Sequence, residues 1–200
     1  MEEVNILSQK DKSLLLEKLE KECALLIPQD KDRLGELQFH LFKYKGQNGN
    51  GKPQDYFFQI RMGIHQIFSK KHLPFCEKGD CIAKLESIIA ANKKQIKNSI
   101  IDYCQNQLDT VLTVELEPEF NKRFPYVFNY NIKLCKARRR NTELVQYGWP
   151  SLCITIAWTD EFGEFQEFMH PITIDPETRC FKTNISQILN SFLSYRDTLI

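Results

Sequence analysis

Hydrophobic positions change period along the chain, and the changes mark its elements. Behind Ser8 and Asp11, whose spacing matches a helix capping box, Leu14, Leu15, Leu19, Leu25 and Leu26 continue an apolar face to Ile27, and Pro28 ends it. Residues 34–44 fit two templates: Leu37, Phe39 and Leu41 alternate as in a strand, while Leu34, Leu37 and Leu41 recur as in a helix. Glycine, asparagine and proline make residues 47–53 a loop. From Asp55 to Lys71 a helix carrying Phe57, Ile60, Ile64, Ile67 and Phe68 is preferred to a strand carrying Tyr56, Phe58, Ile60 and Met62. The longest periodic stretch, Cys81 to Gln107, places Ile82, Leu85, Ile89, Ile96, Ile100 and Tyr103 on one face, with Lys84, Lys94 and Lys97 off it.

From Asp109 onward the period becomes two. Leu112, Val114 and Leu116 alternate with polar or smaller residues, as do Tyr126, Phe128, Tyr130, Ile132 and Leu134, and then Leu152, Ile154, Ile156 and Trp158. A fourth strand is predicted over Glu164–Met169, and Asn184 with Gln187 opens a closing helix. The result is an α+β chain: a four-stranded antiparallel meander packed on helices over residues 80–200, preceded by a helical extension over residues 1–79. The boundary is placed in the His72–Asp80 loop.

Composition narrows the partners. Lys and Arg number 27 against 26 Asp and Glu, so bulk charge gives no footprint for phosphate, and nucleic acid is not an expected partner. No run of apolar residues is long enough to span a bilayer, and the N-terminus has no secretory pattern, so a cytoplasmic setting without membrane contact is expected. The seven irregularly spaced cysteines read as reduced thiols.

Several clusters compete as chemistry. His65, His72, Cys76 and Cys81 are nitrogen and sulfur donors, yet no CxxC pair occurs and Pro74 and Gly79 explain the segment as a turn, so no metal is expected. Lys136 to Arg140 reads as a solvated hairpin tip. Asp109, Glu115, Glu117 and Lys122 faintly suggest a metal-dependent nuclease but match a strand's outer face equally well. Cys180 differs from the other cysteines because its flanks, Asp175 to Arg179 and Phe181 to Asn184, are mostly polar and loop-like.

Residues 170–180, HisProIleThrIleAspProGluThrArgCys, resemble the His-Pro-Asn loop of ubiquitin-conjugating enzymes, in which a histidine stands ten positions before the catalytic cysteine. The order of predicted elements resembles that family over residues 80–200. The resemblance implies that Cys180 accepts a ubiquitin-like modifier from an activating enzyme as a thioester and passes it to an amine of a target protein, with no cofactor. It implies further that His170 and Pro171 shape the loop, that Asp175 or Glu177 orients or deprotonates the incoming lysine, and that the helix bearing Lys84, Lys94 and Lys97 meets the activating enzyme. The family's asparagine falls at Ile172, which has no donor to offer an oxyanion. A noncatalytic binding module of the same architecture, a helical adaptor or chaperone, and a nucleic-acid accessory protein working through Arg138 to Arg140 are the rival readings.

Overall fold

The computed structural model describes residues 5–43, 56–73, 80–137 and 142–199. The expected loop at 47–53 lies outside these residues, as do 138–141 of the loop expected over 138–143 and residue 76 of the candidate metal set; Thr142 and Glu143 instead open a short helix. The chain forms two compact units, Met1–Tyr103 and Cys104–Ile200, which divide within a helix. The boundary expected at 79/80 falls inside the first unit.

In the first unit, α1 (Gln9–Cys23) starts with the capping box expected from Ser8 and Asp11 and buries Leu15, Leu19 and Cys23. A single turn, α2 (Lys31–Leu34), leads to three antiparallel strands in sequential order: β1 (Leu37–Lys43), β2 (Tyr56–Met62) and β3 (His65–Leu73). The expected helical extension is therefore corrected, because its described residues form a three-stranded sheet as well as helices. Gly63 reverses the chain with a φ of 57°, and Ile64 stands fully exposed at the tip, so the helical stripe that counted Ile64 as core does not exist. Phe39, Leu41, Phe58, Ile60 and Met62 instead share one buried face of the sheet.

Helix α3 (Asp80–Ala91) packs on α1, and Asn92 separates it from α4 (Lys93–Arg123). The expected single helix from Cys81 is thus two, and the expected strand over residues 111–117 is the continuation of α4. Cys104, Leu108, Leu112, Leu116, Phe120 and Phe124 recur at four-residue spacing and are all buried, whereas Val114, which the alternating pattern counted as core, is exposed.

The second unit holds the rest of α4 and a three-stranded antiparallel sheet made of β4 (Asn131–Lys136), β5 (Leu152–Thr159) and β6 (Phe165–Pro171), in that order. The short α5 (Thr142–Gln146) lies between β4 and β5. The expected four-stranded meander is therefore a three-stranded one. A two-stranded hairpin follows, β7 (Thr173–Ile174) with β8 (Phe181–Lys182), and then α6 (Ile185–Asp197), capped by Asn184 as expected. Phe192 of α6 centres the core: its ring lies 4.9 to 5.6 Å from those of Phe120, Phe124, Trp158 and Phe168. Both units combine helices with antiparallel sheet, which is the α+β composition expected. No described helix is long and apolar enough to cross a membrane.

Candidate functional site at the Cys180 hairpin

The site is positioned by the last edge strand. Ile172 N–H donates to Leu152 O at 2.9 Å, so the neighbouring residue, Pro171, turns its missing donor toward the free edge of β6. His170 pairs with Ile154 across β5, half-buried, with its ring 6.3 Å from that of Phe168. Burial holds its imidazole below the ordinary pKa, favouring the neutral form. Ile172 itself is fully buried, which explains an apolar residue at this position.

Beyond Ile172 the hairpin is closed by its own hydrogen bonds. Ile174 pairs with Phe181, and both are buried, with Phe181 edge-on to Trp149 at 5.1 Å. The next pair outward joins Asp175 N–H to Cys180 O at 2.9 Å. Asp175 then organises the tip. Its Oδ1 accepts from the amides of Glu177 at 2.9 Å and Thr178 at 3.2 Å, and its carbonyl accepts from Arg179 N–H at 2.7 Å. These amides, with Lys182 Nζ 3.5 Å from Oδ2, hold the carboxyl below its usual pKa. Arg179 adopts a φ of 55°, a left-handed conformation rarely used by residues with a side chain.

Cys180 is half-exposed at the base of this tip, and its thiol donates to Thr178 O at 3.4 Å. Cys104 and Cys153, in the same unit, are buried, and burial pushes both thiols up, away from the nucleophilic thiolate. The hairpin thus brings Asp175 and Cys180 together, while His170 sits upstream on β6. Asn184, a possible substitute for the family's asparagine, spends its Oδ1 on the Gln187 amide at 3.0 Å as the cap of α6.

The three lysines lie in the first unit and on two helices, Lys84 on α3 and Lys94 and Lys97 on α4. Lys97 Nζ donates to Ala24 O at 3.4 Å, closing the C-terminal end of α1, and Lys94 is exposed. Asp109, read as a strand residue, belongs to α4, and its carboxylate accepts from Leu134 N–H on the outer edge of β4 at 2.6 Å. Among the described residues no cluster of three His, Cys, Asp or Glu side chains could hold a metal ion. Sequence reasoning missed the role of Asp175 as the tip's organiser, although an Asp-Pro pair with two free amides just after it carries that signal.

No protein-family model matches the chain, and no curated protein and no solved structure matches it either.

Proposed function

We propose that the second unit is a ubiquitin-conjugating-like carrier in which Cys180 holds a ubiquitin-like modifier as a thioester. The observation that carries this reading is the placement of Cys180: a half-exposed thiol on a hairpin locked by hydrogen bonds, following a helix, an antiparallel meander and a His-Pro, and preceding a helix. In the first step the Cys180 thiolate attacks the carbonyl carbon of the thioester that joins the modifier to the activating enzyme. A new carbon–sulfur bond forms as the old one breaks, and the activating enzyme's thiolate leaves. In the second step a target amine attacks the same carbon, an amide forms, Cys180 departs as thiolate, and the amine's proton passes to solvent or a base. Asp175, held ionised by its turn, suits the orientation of a cationic lysine better than the removal of its proton.

A second reading, a noncatalytic binding module, draws on two facts: Ile172 is sealed in the core, and the Asn184 Oδ1 is committed to a helix cap. One experiment separates the two. With the cognate activating enzyme, modifier and ATP, a carrier gives a thiol-sensitive adduct on a nonreducing gel that Cys180→Ala abolishes and Cys135→Ala retains. With the activating enzyme visibly charged, a folded wild-type chain that yields no adduct would sink the carrier reading and leave the binding module.

A further inference from the structure

We propose that the polar face of the first sheet binds single-stranded nucleic acid. The pairing register places Phe42 opposite Phe57, His40 opposite Gln59, which in turn faces Ser69, and Gln38 opposite Arg61, which in turn faces Gln66. These side chains share the side of the sheet away from the buried Phe39, Leu41, Phe58 and Ile60. It is an aromatic, amide and cationic surface.

Its charge is segregated. This face carries Arg61 and Lys71 and no aspartate or glutamate, whereas Lys43, paired with Tyr56, and Lys70, paired with Phe58, belong to the opposite side; over the whole chain lysine and arginine are matched almost one for one by acids. Net charge conceals such a patch because it averages over the molecule. Independently of charge, Gln59 Oε1 and Arg61 Nε are buried without a hydrogen-bond partner among the described residues. Gln59 is only 4% exposed, and its Nε2 is already given to Gln66 at 2.9 Å, so its oxygen is an acceptor with no donor among the described residues. Nucleic acid supplies both missing partners: base edges carry amino donors, and phosphate oxygens accept from guanidinium.

The aromatic layer suits bases. Phe57 is the half-exposed ring of this layer; Phe42, only 8% exposed, backs it at 6.3 Å with His40 stacked on Phe42 at 5.5 Å, and the exposed Lys71 places Nζ 5.7 Å from the centre of the Phe57 ring. A base stacking on Phe57 displaces that flexible ammonium toward the strand's phosphate. Beside the face, a cleft of about 310 Å³ between α1 and β1 is lined by Gln9, Lys12, Ser13, Gln38 and His40 and also by Glu36, whose carboxylate is paired with Lys31. The His40 imidazole is held below its ordinary pKa by burial and then by the charges of Arg61 and Lys12, as expected where positive potential accumulates. The acidic alternative, a carboxylate-rich peptide, satisfies the cations but leaves the stacking layer and Gln59 Oε1 unused.

The test is fluorescence anisotropy of the full chain with labelled oligouridylate and oligothymidylate, and with a labelled polyglutamate peptide as the competing class. Both oligonucleotides should bind, with log affinity falling against log salt by about 0.7 per phosphate neutralised. Arg61→Gln combined with Lys71→Gln should weaken binding about tenfold or more and flatten that slope by about 1.4. Phe57→Leu, which keeps the apolar bulk, should weaken it roughly tenfold at unchanged slope. Thermal melts establish that each variant is folded. Absence of oligonucleotide binding, equal or tighter binding of polyglutamate, or folded cation variants that bind as the wild type does would each overturn the proposal.

Discussion

The Asp175 amide donates to the Cys180 carbonyl at 2.9 Å, so the pair that ends the β7–β8 hairpin consists of the aspartate that builds the tip and the cysteine that flanks it. That bond joins main chains, so it survives a side-chain change at either residue, whereas two of the tip's other bonds depend on the Asp175 carboxylate. Asp175→Ala removes the acceptor of the Glu177 and Thr178 amides, while Asp175→Asn keeps an oxygen there and loses only the charge. The alanine variant should be cut by trypsin after Arg179 several-fold faster than the wild type, with the asparagine variant close to the wild type. Equal cleavage of all three would show that the tip is held by its backbone pair alone.

His170 predicts a pH dependence with a definite sign. Burial lowers its pKa in the folded chain below the ordinary 6.5, so between the two values the unfolded chain binds the proton more readily. Stability is therefore full above 6.5, falls as the pH drops through the interval below it, and stops falling once the folded pKa is passed. Urea midpoints measured across that interval should decline in the wild type, and the His170→Gln variant should lack this component of the decline.

The N-terminal capping box and the Asn184 cap were legible in the sequence because each is decided within four residues. So were β5, β6 and the closing helix, where alternation or helical spacing coincides with burial. The failures share a physical cause. In α4 the residues 111–117 satisfy a two-residue period by accident, and only the longer stripe from Cys104 to Phe124 reveals the helix, since Leu112 is buried and Val114 is 68% exposed. Residues 55–71 misled in the opposite direction because Gly63, the one residue suited to reversing the chain there, was outvoted by isoleucines at helical spacing. Of the candidate site, a thiol on a polar loop could be read directly. That Asp175 anchors the tip, and that Lys97 closes α1, depends on partners distant in space or on backbone geometry, which periodicity does not encode.

The close approach of two glycines gives a sharper prediction in the first unit. Gly35 has a φ of 76°, and a Cβ there would come within 2.7 Å of the Gly63 Cα, a backbone atom that cannot swing away. Gly63→Ala meets nothing nearer than 3.6 Å and bears only the left-handed penalty, about 1 to 2 kcal/mol. Gly35→Ala, at a φ of 76° and ψ of 169° that essentially only glycine adopts, bears about 1 to 3 kcal/mol of backbone strain and the collision, for a total of about 3 kcal/mol or more. Chemical denaturation should rank the variants in that order, and the reverse order would contradict the packing of the β2–β3 turn against Gly35.

The second unit's core should depend on Phe192 more than on any exposed aromatic. Its side chain is fully buried and edge-on to Phe120, Phe124, Trp158 and Phe168, so truncation opens a void bounded by rings that cannot all move inward together. Phe192→Ala should cost about 3 to 5 kcal/mol, whereas Tyr126→Ala, at a residue 87% exposed, should stay within about 0.5 kcal/mol of the wild type. Denaturant midpoints at constant slope provide the measurement. Near-neutral behaviour of Phe192→Ala would mean that α6 does not close this core, and the hairpin that α6 follows would lose the rigid support on which the Cys180 site depends.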